Sequence, residues 1–373
     1  MKNNYLILCF TGICALLLSL LTSCEKEFNP RDKYKEITIV YGLINLADEV
    51  HYIRIHKAFL GPGDIIIMAQ NPDSTMYPEE DLDVRFYEVI CDPDGNRKDS
   101  VQFTGDNVGI KEISNKEDGL FSQKQKAYYF KKKFEKKQQQ GEDYYSSDNI
   151  IKIEIEHKKS GKIVYAETPL VNSFYVTSPM TGTPLNLDPS KTASKFIWEN
   201  AKNGRIYDVY YTMRYREGNK ADSIWKKDSL VWHVGSHSAS KTGNENTQTE
   251  NFQFNPGAFY AQIQKVIIRD TSLWRTPYDS VKVALWCGSE VLYYYHNVND
   301  PSQGVAQERP EFTNMKTKIS SAELGGYQEV ENEAFGIFTS RMVQYRWLHL
   351  SAEMTQIHLP ATDRQFKSVI IED

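Results

Sequence analysis

From residue 36 onward, apolar positions recur mostly with a period of two. In the stretches EITIVYGLIN (36–45) and EVHYIRIHKAF (49–59) side chains alternate between two faces, as a pleated strand requires. His51, Ile53 and Ile55 fall on one face; Tyr52, Arg54 and His56 fall on the other. In LDVRFYEVI, Leu82, Val84 and Phe86 alternate with Asp83, Arg85 and Tyr87. The turn CDPDGNRKD then leads back into a further strand, with Gly95 supplying a positive φ. KAYYFKKKF (126–134) is another expected strand. The clearest hairpin is NIIKIEIEHKKSGKIVYAETPL, 149–170: Ile151, Ile153 and Ile155 point one way, Lys152, Glu154 and Glu156 the other, and Gly161 sits in the connection.

Pro169, Pro179, Pro184 and Pro189, spaced among Asn, Ser, Thr and Gly, predict a domain boundary. A second β pattern follows. KFIWEN (195–200) and RIYDVYYTMRYRE (205–217) flank Asn203-Gly204, which predicts a hairpin between them. Tyr207, Val209, Tyr211, Met213 and Tyr215 share one face. DSLVWHVG (228–235) and SVKVALWCG (280–288) read as strands, the first ending near Gly235, and 236–251 reads as a polar loop. PGAFYAQIQKVI predicts a short helix starting after Asn255, since Pro256 suits a first helical turn. SEVLYYYHNV (289–298) fits helix or strand, with helix favoured. The expected fold is all-β: two immunoglobulin- or transthyretin-like β-sandwich domains, 35–170 and 171–373, with one or two short helices in the second. The 23 Tyr, 17 Phe and 6 Trp agree with it, because aromatic side chains suit a half-buried pleated surface.

The first 23 residues differ. Lys2 is their only charge, residues 5–21 are mostly apolar, and small residues precede a break at Cys24, the layout of a cleaved secretory signal. Lys2 to Glu25 gives barely enough length to span a membrane. Leu21-Thr22-Ser23-Cys24 resembles the lipobox of bacterial lipoproteins. The resemblance implies a signal peptide 1–23, an acylated Cys24 as the first mature residue, and a tether 24–34. Several acyl chains, at about 0.8 kcal/mol per buried CH₂, hold a protein firmly at a membrane. Glu25-Lys26-Glu27 is similar to the acidic run after the lipidated cysteine of surface lipoproteins of the Bacteroidota, with Lys26 interrupting it. That implies an outer-membrane, outward-facing location.

The stretches SGKIVYAETPL, SEVLYYYHNV and NEAFGIFTSR resemble motifs of a group of Bacteroidota outer-membrane lipoproteins with tandem β-sandwich domains. The likeness spans most of the mature chain and breaks between 311 and 334. It carries an architecture and no activity.

The remaining chemistry is sparse. A net charge of −5 opposes nucleic-acid binding, which needs a basic stripe. The lysines between 124 and 137 read as a solvated strand end or loop. Cys91 and Cys287 remain after the leader; Cys287 shares a face with Val281, Val283 and Leu285 and is expected as a buried free thiol. No nucleophile-elbow, zincin, P-loop or dinucleotide motif occurs. His51 and His56 sit on opposite strand faces, and the strand ends before His237 can join His233, so no metal site, catalytic residue or cofactor is expected. PEED (78–81) and EVENE (329–333) read as solvated acidic loops. Trp225, Trp232, Trp274 and Trp347 are assigned to the core in preference to a binding platform. The expected function is a non-catalytic binding or accessory subunit. Its candidate partners are TonB-dependent transporter components or a glycan or peptide ligand. The alternative is a surface glycan or peptide hydrolase. Arg309 and Phe312, in the aperiodic segment 296–312, are the candidate partner contacts.

Overall fold

The computed structural model describes residues 37–58, 67, 71–113, 125–139, 141–219, 224–242, 248–299, 312–321, 325–331 and 333–368. Strands make up 57% of the structure and helices 14%, so the period-two pattern prevails and the fold is an all-β sandwich. Strands are numbered here in chain order. The longest sheet runs β15 (Trp225–Ser238), β14 (Gly204–Asn219), β17 (Leu273–Ser289), β20 (Ala334–Leu350), β1 (Thr38–Asn45), β2 (Val50–Lys57), β6 (Gln125–Lys131), β5 (Val108–Ile113); β12 (Pro184–Leu185) joins it beside β20. A second sheet runs β19 (Gly326–Val330), β18 (Lys316–Ser321), β10 (Ile163–Pro169), β9 (Ile150–His157), β3 (Leu82–Cys91), β4 (Arg97–Gln102). A third runs β11 (Val176–Ser178), β13 (Ser194–Glu199), β16 (Thr249–Phe254), and β7 (Lys136–Gln139) pairs with β8 (Glu142–Tyr145). Two ten-residue helices, α1 (Gly257–Val266) and α2 (Glu290–Asn299), occupy the segments expected to be helical.

Both smaller sheets pack on the same face of the long one. At one end Phe86 of β3 meets Phe130 of β6, with ring centroids 5.1 Å apart. At the other, Phe196 and Trp198 of β13 lie 5.7 and 5.0 Å from Tyr211 and Tyr207 of β14. Alternation decides which side chains enter this core. Ile151, Ile153 and Ile155 are fully buried, as are Tyr207, Val209 and Met213. Burying each large apolar side chain contributes about 1.5–3 kcal/mol.

Hydrogen bonding crosses the expected boundary at residue 170. β1 pairs in parallel with β20 over Thr38–Asn45, and β18 pairs with β10. The proline-rich stretch is no linker: Leu170, Val171 and Phe174 are fully buried, and Val171 N donates to Ser340 Oγ. Residues Glu36–Asp373 form one compact unit. Proline spacing misled because Pro169 closes β10 and Pro184 opens β12, so these prolines mark strand ends inside the fold.

Two further expectations change. Asn203 takes a positive φ of 62°, as a turn residue should, yet β13 and β14 do not pair. The turn carries the chain from one layer to the other, and Phe196 and Trp198 then face Tyr211 and Tyr207 across the core. β15 also continues through Gly235 to Ser238. Val209 and Tyr210, adjacent in β14, face Gly235 and His233, so Val234 is an extra, bulged residue.

Candidate functional site

Among the described residues, the other face of the long sheet carries its exposed side chains, Tyr345 and Trp347 among them. Three cross-strand rows can be read from its register. Ser236, Asp208, Trp286 and Val343 form one; His233, Tyr210, Ala284 and Tyr345 the next; Val231, Thr212, Lys282 and Trp347 the third. Each row crosses β15, β14, β17 and β20, with strands about 4.8 Å apart and rows about 6.8 Å apart. These are the residues of opposite parity to the core set, so the alternation that buries Tyr211 exposes Tyr210.

Cations and rings interleave on this face. Lys282 Nζ lies 3.8 Å from the Tyr345 ring centroid, and the Arg341 guanidinium lies 4.5 Å from that of Trp286. Arg214 lies 5.4 Å from both Tyr278 and Trp347. Among the described residues, neither Lys282 nor Arg341 makes an ion pair. Burial lowers the Arg341 pKa, against the attraction of Asp48 and Tyr345. From Arg341 to the level of Ser280, opposite His349, the stripe follows eight residue steps of β20, roughly 27 Å. Tyr345 and Trp347 remain 44% and 42% exposed.

At the β1 end, α2 forms a wall. Leu292 fills the space beside Gly288, where a Cβ would meet it at 2.5 Å. Between this wall and the rows lies a cleft of about 520 Å³, lined by Leu43, Asp208, Tyr210, Trp286, Arg341 and Tyr345 among others. His233 Nε2 and Ser236 Oγ both reach Asp208 Oδ1, at 3.1 and 2.5 Å. The polar groups of the face are thus held in place.

Of the residues expected to matter, Cys24 and Arg309 lie outside the described residues. Phe312 is described: its ring lies 5.8 Å from Tyr294 on α2, and it lines a smaller cleft of about 310 Å³ with Tyr41, Tyr295 and Phe335. Trp232 is buried as expected, but Trp225, Trp274 and Trp347 are 37–42% exposed. They belong to platforms, each beside a cation: Arg216 over Trp225, Lys367 over Trp274, Arg214 over Trp347.

Cys287 is free and buried, its thiol pushed up to about 12 by burial, so it is chemically quiet. Cys91 is also free. His51 faces the core and His56 does not. His233 and His237 have equal parity, yet the bulge at Val234 puts them on opposite faces: His233 stacks on Tyr210, and His237 lies edge-on to Trp198 and bonds Glu250. The acidic runs pair with lysines at the surface, Glu79 with Lys126, Asp81 with Lys159, Glu329 with Lys316. The lysine cluster is likewise neutralised, through Lys132–Glu88, Lys133–Glu49 and Lys136–Asp143.

Fold and face define a β-sandwich protein with an aromatic–cationic platform on one side of its long sheet. No protein-family model matches the chain, and no characterised protein matches it in sequence.

Proposed function

We propose that the protein is a non-catalytic lipoprotein of the outer membrane, anchored through Cys24 and facing outward, that holds an extended, negatively charged ligand on the open sheet face. It serves as a binding or accessory subunit beside a TonB-dependent transporter. One observation supports the ligand-binding part of this reading: a stripe of exposed rings interleaved with Lys282 and Arg341, two cations that form no ion pair among the described residues. The negative π faces of Tyr345 and Trp347 attract the electropositive C–H groups of a sugar ring, while the two cations attract carboxylates or sulfates. β14, β17 and β20 are each paired on both sides, so a peptide could not add as a strand among them. An acidic polysaccharide is therefore the favoured ligand class.

The test is binding of the purified chain to immobilised neutral and uronic-acid polysaccharides. Binding to the acidic ones should fall at least tenfold in the Tyr345→Ala/Trp347→Ala variant and weaken with salt. Equal binding by that variant, or turnover of the polymer, would defeat the proposal. In cells, Cys24→Ala should release the protein from the membrane fraction and abolish fatty-acid labelling.

A further inference from the structure

Away from the open face, three side chains distant in sequence converge at the C-terminal end of the fold. Asp188 follows β12, and Glu353 and His358 lie in the turn after β20. One ligand atom from each lies within 4.8 Å of the others. Two carboxylates that close repel unless a positive charge sits between them.

The backbone is shaped to make this convergence. Met354–His358 is a π-helical turn, in which Leu359 N donates to Met354 O, five residues back. In an α-helix, residues five apart point about 140° apart. The wider π turn stacks residue i+5 over residue i, which brings Glu353 and His358 to the same side. Such turns recur at functional sites. The loop is fastened to this turn as well: Leu187 N lies 3.4 Å from Met354 Sδ.

The donor atoms are oriented and still available. Ser190 N and Oγ both donate to Asp188 Oδ1, at 2.9 and 2.7 Å, which fixes the carboxylate and leaves Oδ2. Asn186 Nδ2 donates to Glu353 Oε2 at 3.1 Å and leaves Oε1. His358 Nε2 is shielded from solvent and 3.5 Å from Glu353 Oε1, without a hydrogen bond. Independently, Tyr260 of α1 is 92% buried, since only 8% is exposed. Its hydroxyl has no hydrogen-bond partner among the described residues, and its ring lies 5.5 Å from that of His358. Burial first, then the negative charges of Glu353 and Asp188, raise the hydroxyl's pKa. A buried hydroxyl left unpaired costs about 1–3 kcal/mol, so its position beside two carboxylates and an imidazole needs an explanation.

We propose that Asp188, Glu353 and His358, with the Tyr260 hydroxyl closing the fourth side, bind one divalent transition-metal ion that staples the loop after β12 to the C-terminal turn. Two carboxylates neutralise a dication, and an imidazole ligand favours zinc and its neighbours over calcium or magnesium. Ligands at zinc distances of about 2.1 Å lie about 3.4 Å apart in a tetrahedron. Side-chain rotations of about an ångström close the site. Sequence reading missed it because Asp188 and Glu353 lie far apart in the chain and no ligand spacing joins them.

The experiment equilibrates the metal-stripped full chain, in detergent, with Zn²⁺ alone and measures retained zinc and thermal unfolding. One zinc per chain and a rise of several degrees in Tm are expected. Asp188→Asn preserves shape and should weaken zinc binding at least tenfold, His358→Ala should abolish it, and Tyr260→Phe should weaken it severalfold. His233→Ala, on the opposite side of the sheet, should leave zinc retention unchanged. Failure to retain zinc overturns the proposal, as does equal retention by Asp188→Asn and His358→Ala. All variants are compared with the parent in their metal-free melts, so loss of folding is read separately from loss of metal.

Discussion

Gly336 shows how one residue can hold two parts of the chain together. Its φ is +97°, and a Cβ there would sit 2.0 Å from the carbonyl oxygen of Val40. It lies opposite Val40 where β1 runs beside β20, and its own carbonyl accepts from Thr313 Oγ1 at 2.8 Å. The motif Gly-Ile-Phe therefore has a structural reading: the glycine permits close approach and Phe338 fills the core. Gly336→Ala should cost about 3 kcal/mol or more, through strain and a backbone clash. The urea midpoint measures this; a loss under about 1 kcal/mol would mean that the strands part easily. His157 offers a second residue-scale prediction. It is buried, 2.9 Å from Thr38 Oγ1 and packed edge-on against Tyr77. Burial, then the nearby Lys162 charge, lowers its pKa from 6.5 to about 4. Between those values the unfolded chain binds a proton that the folded chain refuses. This contribution is complete above pH 6.5 and is lost as pH falls toward 4, on the order of 3 kcal/mol in all. Urea midpoints at pH 7 and pH 4.5 should differ accordingly, and less so in His157→Gln.

At the scale of elements, β14 states the division of labour. Its inner side chains, Tyr207 to Tyr215, meet the third sheet and α1's neighbourhood, while Asp208, Tyr210, Thr212 and Arg214 carry the platform. Alternation made the inner set legible from sequence, and the outer set was legible by the same parity. What parity could not supply was the partner strand. Trp347 looked like a core residue because tryptophan commonly is one; its exposure follows from the even-numbered side chains of β20 taking the core. The bulge at Val234 was invisible for a similar reason, since it exists only relative to β14. This separation of faces lets the binding test be read cleanly. Tyr345→Ala/Trp347→Ala removes exposed rings whose cation contacts are worth about 0.5–1 kcal/mol each. Stability should fall by no more than a few kcal/mol while the platform is lost.

At the scale of the whole molecule, the first strand closes onto the last. β1 borrows β20, and β10 borrows β18, so the N-terminal half lacks two neighbours when taken alone. A fragment of residues 36–170 should therefore fail to unfold cooperatively, exposing edges and apolar surface instead. Near-ultraviolet circular dichroism and a urea titration decide this; a sharp transition with native aromatic signals would show that the half holds its own core. The local pattern of the chain determined β1, β2, β3, β9, β10, β14 and β17 with their buried parity, the two helices and the turns at Gly95 and Gly161, because side-chain alternation and backbone preference are local quantities, while the long strand β20 was not read from it. Tertiary structure alone decided that Pro169–Pro189 is seam and not linker, that Asn203-Gly204 joins two layers, and that one long sheet serves both halves. It also brought Lys282 to Tyr345, and Asp188 to Glu353 and His358. Those contacts join residues far apart in the chain, and their free energy lies in a packing that no local window of sequence contains.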